Sequence, residues 1–216
     1  MKNKLSLLSL VSALVLVTLA CAFGGDSAIL YRDDFSNKNG NWAEDREQGI
    51  TDYDQDGYRI QVLETNWYYW TTSGLDTDFS NVDITIDTTK LGGPDDNEFG
   101  VICRYVDENN FYYFTISSDG FYGITKIVNN EFELIGQENL LPSEEINQGD
   151  GSNNQIRAIC NDNNLQLYAN GTLLANVTDS DLTTGDIGLI AGTYEEPGTD
   201  ILFDNLLVVD PNAVSE

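Results

Sequence analysis

The sequence contains no histidine, and its 10 lysine and arginine residues face 36 aspartate and glutamate residues. Without imidazole there is no Ser-His-Asp or Cys-His catalytic machinery and no His-ligated zinc or iron. The formal charge of −26 repels nucleic acids, whose phosphates are bound by Lys and Arg. Carboxylate chemistry, hard cations held by oxygen ligands, or binding without catalysis remain. No nucleic-acid partner and no organic cofactor are expected.

Proline is also scarce, with 4 residues in 216, and no linker rich in Pro, Gly or Ser divides the chain. From Ile29 to Val209 the apolar residues show no sustained helical period. Short β-branched and aromatic runs recur instead between clusters of Asn, Asp and Gly, a pattern typical of strands and turns. The pattern predicts one all-β domain over residues 29–210, a sandwich or barrel, followed by a tail over 211–216.

The N-terminus is the exception to this polar composition. Lys2 and Lys4 precede an apolar run from Leu5 to Leu19, which is too short for a comfortable transmembrane helix and reads as a secretory signal peptide over residues 1–20. The run ends in Ala20-Cys21, which resembles a bacterial lipobox. The resemblance implies a lipid on Cys21, a tether over residues 21–28 and a location on the outer face of a bacterial membrane. An ordinary signal peptide is the alternative.

Only two cysteines would remain outside the lipobox, Cys103 and Cys160, in a compartment that permits disulfides. Strand alternation points both side chains into the core. The sequence leaves two readings open, a disulfide or two separate buried thiols that act as small hydrophobes.

Turn residues suggest how the central strands pair. A four-residue loop and the dipeptides Asp119-Gly120 and Asn129-Asn130, taken as two-residue turns, connect four strands between Phe99 and Ile135. This register predicts an inner face carrying Cys103, Tyr105, Tyr112, Phe114, Thr125, Ile127, Phe132 and Leu134. It predicts an outer face carrying Ile102, Arg104, Tyr113, Thr115, Ile124, Lys126, Glu133 and Ile135.

A family resemblance follows from segments spread along the chain. They are Leu30 to Phe35, Phe99 to Tyr105, Asn110 to Phe114, Leu167 to Gly171, Gly185 to Leu189 and Phe203 to Asn205. Together they resemble the concanavalin A-like lectin and glucanase superfamily, particularly its LamG-like and 3-keto-disaccharide hydrolase-like domains. The resemblance implies a jelly-roll sandwich of two curved antiparallel sheets whose concave face commonly handles glycans.

The outer row fits such a face because sugar rings stack on aromatic side chains and their hydroxyls bind charged groups. The predicted glycan-binding residues are Arg104, Tyr113, Lys126, Glu133, Trp70 and Arg157. Alternation allows only one of Trp67 and Trp70 to share this face. A cross-strand salt ladder with no ligand is the alternative interpretation.

Calcium is the predicted metal. Asp52, Asp54 and Asp56 match the first half of a D-x-D-x-D-G loop, but position 12 of an EF-hand would be Leu63, which excludes that motif and leaves a plain acidic turn as the alternative. The resemblance adds a second structural site, since Asp34 and Asp204 lie at the ends of the terminal strands.

Catalysis is less well supported. The Glu-x-Asp-x-Glu run of laminarinase-type relatives is absent from the sequence, and Glu133 is the one weak catalytic candidate. The sequence therefore predicts a lipid-anchored protein that binds a glycan or oligosaccharide without catalysis and meets the membrane only through its anchor. The alternatives are a glycoside hydrolase or lyase and an adhesive or structural module.

Overall fold

A computed structural model describes residues 29–38, 40–46, 49–54, 57–75 and 77–213. The described residues form strands joined by turns and loops. The strands are β1 (Ile29–Asp33), β2 (Gly49–Asp54), β3 (Gly57–Val62), β4 (Trp67–Thr72), β5 (Val82–Gly92), β6 (Asn97–Asp107), β7 (Asn110–Ile116), β8 (Phe121–Val128), β9 (Glu131–Leu134), β10 (Leu141–Pro142), β11 (Asn153–Asn161), β12 (Asn164–Ala169), β13 (Thr172–Thr178), β14 (Asp186–Thr193) and β15 (Thr199–Val209).

Two antiparallel sheets face each other. The eight-stranded sheet has the order β13-β12-β11-β5-β15-β3-β2, with β1 also paired to β15. The seven-stranded sheet has the order β10-β8-β7-β6-β14-β4, with β9 also paired to β8. The predicted all-β sandwich is therefore confirmed, and sequence neighbours such as β6, β7 and β8 pair as hairpins.

The core lies between the sheets and is built from the inward halves of the alternating strands. Val82, Ile84 and Ile86 of β5 are all buried in it, because alternate side chains of a strand point to the same side. Cys103 of β6 and Cys160 of β11 form a disulfide across the core, with their Cα atoms 6.9 Å apart. The bond ties one sheet to the other and settles the question that the sequence left open.

The pairing of β7 with β8 corrects the predicted register by one residue. Phe111 pairs with Ile127, since the turn contains three residues, Ser118 to Gly120, and not the two that were predicted. Ser117 and Phe121 close this loop through a backbone hydrogen bond of 2.8 Å, and Gly120 takes a positive φ of 93°. A slip of one residue exchanges the two faces of a strand.

Residues beyond this turn therefore change sides. The structure reverses the predicted faces of Ile124, Lys126, Ile127, Phe132 and Ile135. Ile124 and Ile135 join the core between the sheets, whereas Ile127 lies on the outer face of the seven-stranded sheet.

A bulge in β6 accounts for another difference. The register shifts between Cys103 and Asp107, and Arg104 takes a positive φ of 54°. Bulges place two residues of one strand opposite one residue of its partner and redirect side chains. Here Tyr105 packs on the outer face and the Arg104 side chain is buried, the reverse of the predicted arrangement.

The predicted signal peptide, Cys21 and the tether over 21–28 lie outside the described residues, as do the last three residues of the predicted tail. These segments stay predictions. Within the part of the chain that the structure describes, no helix has the length and apolar character needed to cross a membrane.

Candidate functional site

Aromatic side chains crowd the outer face of the seven-stranded sheet. We call them the aromatic cluster: Tyr68, Trp70, Tyr105, Phe111, Tyr113 and Phe132. The ring centroids of Trp70 and Phe111 are 5.6 Å apart, and those of Tyr68 and Tyr113 are 6.1 Å apart. These are contact distances for aromatic pairs. The outer face therefore holds a second, smaller apolar core.

The curvature of the sheet explains how distant rings meet. Tyr68 lies on β4 and Phe132 on β9, five strand spacings apart, or about 24 Å in a flat sheet. Their ring centroids are nevertheless only 6.4 Å apart. The sheet must therefore curl toward its outer side, which makes this face concave.

The concave face is filled by the protein's own side chains. Tyr113 is only 3% exposed, and Phe111 and Ile102, which belong to the same apolar core, are fully buried. Phe132 remains 59% exposed at the rim. Tyr113 and Trp70 occupy the face predicted for them, but they pack against other rings and leave little free surface for a stacked sugar. Their role in ligand binding stays a prediction.

Arg104 lies away from the aromatic cluster, which contradicts its predicted outward position. Its guanidinium is buried and donates hydrogen bonds to three backbone carbonyls: Ser80 at 3.1 Å, Asp162 at 2.6 Å and Leu182 at 2.9 Å. These carbonyls belong to three different connections at one end of the sandwich. The side chain holds loops together and has little surface for a ligand.

Lys126 and Glu133 also leave the predicted row, because of the shifted register. Lys126 Nζ lies 2.7 Å from Asp179 Oδ2, 2.8 Å from Asp181 Oδ2 and 3.1 Å from Glu133 Oε2. Hydrogen bonds from Lys126 to these carboxylates raise its pKa above the ordinary range. The ammonium group connects β8 to the segment after β13 and is already neutralised by its neighbours.

Arg157 lies on the other sheet altogether. It pairs with Asp83 at 2.6 Å on the outer face of the eight-stranded sheet, and its guanidinium carbon is 5.1 Å from the centre of the Tyr168 ring. It therefore does not share a surface with Trp70 or Tyr113. The six predicted ligand residues do not form one site.

Glu98 is a buried acid that the sequence analysis missed. It is 6% exposed and lies on the concave face. The predicted strand began at Phe99, one residue after Glu98, whereas β6 begins at Asn97. The Tyr194 hydroxyl donates a hydrogen bond to Glu98 Oε1, and the Thr115 hydroxyl lies 3.3 Å from Oε2. Ile102 was predicted on the outer face, and residues two positions apart share a face, so the same alternation assigns Gly100 and Glu98 to that face too.

Burial sets the protonation of this group. It raises the pKa of Glu98 above the ordinary value, and the hydrogen bonds from Tyr194, Thr115 and Tyr68 oppose that rise only in part. Burial and then the charge of Glu98 raise the pKa of Tyr194, which stays a neutral donor. The concave face thus ends in a buried acid of raised pKa that is surrounded by hydroxyl groups.

We expect the Glu98→Gln variant to become more stable than the wild type as pH rises. A folded-state pKa above the unfolded value gives a stability contribution that is complete below about 4.3 and is lost as pH climbs through the folded pKa. Gln mimics the protonated acid and does not titrate. The Tm difference should be small at pH 4 and grow toward pH 8, by about 2–4 °C for each kcal/mol that the wild type loses.

The control for this measurement is Glu108→Gln, a change at an exposed turn. Its Tm should follow the wild type at every pH. A difference between Glu98→Gln and wild type that is the same at pH 4 and pH 8 would show that the pKa of Glu98 is not raised by folding.

An open cavity adjoins Glu98 at one end of the sandwich. Its volume is 570 Å³, and Tyr194 lines it while bonding to Glu98. Its other described lining residues come from the strand ends, turns and loops at this end: Asn66, Asp96, Asn97, Ser117, Asp119, Phe121, Asn139, Leu140 and Glu195. The cavity combines two aromatic rings with amide and carboxylate groups, which can exchange hydrogen bonds with a polyhydroxylated ligand.

The acidic loop around Asp52 is occupied by cations of the protein itself. Asp52 pairs with Arg46 and lies 3.2 Å from Lys38 Nζ, and Asp54 lies 3.5 Å from an Arg59 nitrogen. These ion pairs support the alternative interpretation of this segment as an acidic turn. Asp56, the third predicted calcium ligand, lies outside the described residues.

At the terminal strands, Asp34 accepts a hydrogen bond of 2.7 Å from the Ser36 hydroxyl. Among the described residues, no group of three His, Cys, Asp or Glu side chains is arranged to hold a metal ion. Calcium binding by Asp34 and Asp204 stays a prediction.

Comparisons with known proteins identify the fold. No protein-family model matches the sequence, and no curated protein matches it. Among solved structures, a carbohydrate-binding module CBM66 from Bacillus subtilis is similar, with a TM-score of 0.59, 15% identity, and coverage of 80% of this chain and 92% of that one. A Bacillus subtilis protein of unknown function with a galectin-like fold has a TM-score of 0.58 and 12% identity, covering 85% and 96%.

The third similar structure is the GH43 protein BlXynB from Bacillus licheniformis, with a TM-score of 0.59 and 11% identity. The match covers 83% of this chain and 39% of that one. Identities this low establish a shared fold only. The chain is a jelly-roll β-sandwich, and the predicted jelly-roll fold is confirmed. The concanavalin A-like superfamily and its LamG-like and 3-keto-disaccharide hydrolase-like branches stay predictions.

Proposed function

We propose that this protein binds carbohydrate at the bacterial cell surface without catalysis, and that the site is the cavity beside Glu98. One observation carries the proposal: Tyr194 bonds to the buried Glu98 and also lines a 570 Å³ recess. The recess offers Phe121 as a ring for the apolar face of a sugar and Asn139 as a donor and acceptor for its hydroxyls. Ligand sites of this size commonly join an apolar wall to a few polar groups.

The position of the cavity suits a protein anchored through Cys21. The described chain begins at Ile29, which pairs with Val209 where β15 ends. The cavity lies at the opposite end, where β5 ends and β6 begins, and the 11 residues of β5 extend about 36 Å between the two ends. The tether over 21–28 spans at most about 28 Å. The anchored domain would present the cavity away from the membrane.

Glycoside hydrolysis is the second candidate, and Glu98 is the observation that favours it. Burial raises the pKa of the Glu98 carboxyl group, and a raised pKa favours the protonated form that a general acid requires. Three hydroxyl groups surround it, however, and the weak candidate Glu133 is ion-paired on another face. Binding therefore accounts for the geometry with fewer assumptions.

The test is a glycan array probed with the full chain and with the Phe121→Ala and Asn139→Ala variants. We expect each variant to weaken binding at least about tenfold, the size of effect that central contact residues produce on truncation. Leu173→Ala is the matched control, because Leu173 is a half-exposed apolar side chain on β13 of the other sheet. It should bind as the wild type does.

Two results would decide against the proposal. Equal binding by Phe121→Ala, Asn139→Ala and Leu173→Ala would place the site elsewhere. Release of shorter sugars by the wild type, blocked in Glu98→Gln, would establish the hydrolase alternative.

A further inference from the structure

The cavity beside Glu98 has a strongly one-sided charge. Three carboxylates, those of Asp96, Asp119 and Glu195, are among its lining residues. No lysine or arginine is among the described residues that line it, and none of the ion pairs between described residues includes these three acids. Elsewhere among the described residues, acids gather around cations: Lys126 meets three acids and Lys90 meets two. The cavity is therefore a site of uncompensated negative charge.

The three acids act on one another. Burial and then the charges of Asp119 and Glu195 raise the pKa of Asp96. Asp119 is held in place because the Ser117 hydroxyl donates a hydrogen bond to it. A recess lined by one sign of charge focuses the electric field and concentrates ions of the opposite sign. A cationic group placed in the recess would relieve this repulsion.

The remaining lining residues indicate what kind of cation would fit. Asn139 gives the recess an amide group, and Phe121 and Tyr194 give it aromatic rings, which a bare metal ion does not use. A sugar ring that carries hydroxyl groups and one ammonium group would use the aromatic and amide groups as well as the three carboxylates. A sugar with a carboxylate or sulfate group would be repelled instead.

We propose that the cavity selects saccharides that carry a free, protonated amine, such as 2-amino-2-deoxyhexose units, over their N-acetylated and acidic counterparts. The inference rests on the proposed function and adds the class of ligand. Asp96, Asp119 and Glu195 are the residues that determine this specificity. The three carboxylates attract the protonated amine electrostatically, while the sugar ring packs on Phe121 or Tyr194.

The experiment measures the affinity of the full chain for three oligosaccharides of equal length, made of glucosamine, N-acetylglucosamine and glucuronic acid. Calorimetry at physiological salt is run with and without added calcium. At a pH that protonates the amine, we expect glucosamine oligomers to bind at least tenfold more tightly than N-acetylated ones, and glucuronic acid oligomers not to bind. The preference should fall as salt rises.

A triple variant, Asp96→Asn with Asp119→Asn and Glu195→Gln, should bind glucosamine and N-acetylglucosamine oligomers equally. The matched control also removes three acids, through Asp78→Asn, Glu108→Gln and Glu131→Gln, at exposed positions of the opposite end. It should keep the full preference. This comparison separates the field inside the cavity from the overall negative charge of the protein.

The failures of the two proposals differ. Equal affinity of the wild type for amine and N-acetylated oligomers would overturn the charge selection and leave carbohydrate binding standing. Loss of the preference in the control variant, or binding that requires calcium, would overturn the selection as well. Absence of binding to these three oligosaccharides and to every sugar on the glycan array would overturn the proposed function together with this inference.

Discussion

Replacing Cys103 and Cys160 together by alanine is expected to lower the free energy of unfolding by about 4 kcal/mol. The disulfide joins β6 of one sheet to β11 of the other across a sequence separation of 57 residues. Closing a loop of that length restricts the unfolded chain, and the restriction is lost when the bond is removed. No other covalent connection joins the two sheets within the described residues beyond the backbone itself.

Thermal unfolding measures this effect, and a loss of this size should lower Tm by roughly 8–16 °C in a domain of this length. Reductant supplies the control: it should destabilise the wild type by a similar amount and leave the double alanine variant unchanged. Equal melting of the oxidised wild type and the double variant would show that the bond does not stabilise the folded protein.

The side on which these cysteines lie could be predicted from the sequence because strand alternation is local. Successive side chains of a strand point to opposite faces, so the apolar residues two positions away indicate the side of each cysteine. The side chains of Cys103 and Cys160 both point into the core, as predicted. Val82, Ile84 and Ile86 follow the same local alternation, and all three are buried. Whether the two cysteines come within bonding distance depends on how the sheets stack, and no local pattern carries that information.

The faces of β8 and β9 could not be predicted, because one turn was ambiguous. Asp119-Gly120 fits a two-residue hairpin turn, but it also fits the last two positions of a three-residue loop in which glycine takes the positive φ. The two choices differ by one residue in register, and that difference reverses every side chain that follows. Lys126 and Glu133 were misplaced for this reason alone.

The cavity was beyond prediction for a different reason. Asn66, Asp96, Asp119, Asn139 and Glu195 come from five separate connections along the chain. In the sequence each of them looks like an ordinary polar loop residue. Only the strand order of the seven-stranded sheet, which sets β14 between β4 and β6, brings these loops to one end.

Replacing Arg104 by methionine is expected to lower the free energy of unfolding by about 3–5 kcal/mol, although its hydrogen-bond partners among the described residues are all neutral backbone carbonyls. Methionine keeps most of the volume, but it leaves the carbonyl oxygens of Ser80, Asp162 and Leu182 without their donor. An unsatisfied buried carbonyl costs about 1–3 kcal/mol. The three carbonyls belong to three connections at the end of the sandwich near Ile29, so their local order should fall too.

Arg104→Lys tests the geometry of this interaction. The guanidinium reaches the three carbonyls with all three of its nitrogens, at distances from 2.6 to 3.2 Å, and a single ammonium cannot reproduce that spread. The lysine variant should therefore recover only part of the loss. Urea unfolding gives the free energies, and Arg32→Met, which removes an exposed arginine on β1, is the control and should cost less than about 0.5 kcal/mol.

Hydrogen exchange provides a second measurement of the same prediction. Amides in the connections around Ser80, Asp162 and Leu182 should exchange faster in Arg104→Met than in the wild type, since the carbonyls that fix those segments lose their common donor. Amides near the cavity at the opposite end should keep their protection. Equal stability of Arg104→Met and Arg32→Met would mean that water replaces the guanidinium at no cost. In that case the positive φ of Arg104 would have to be explained by the bulge alone.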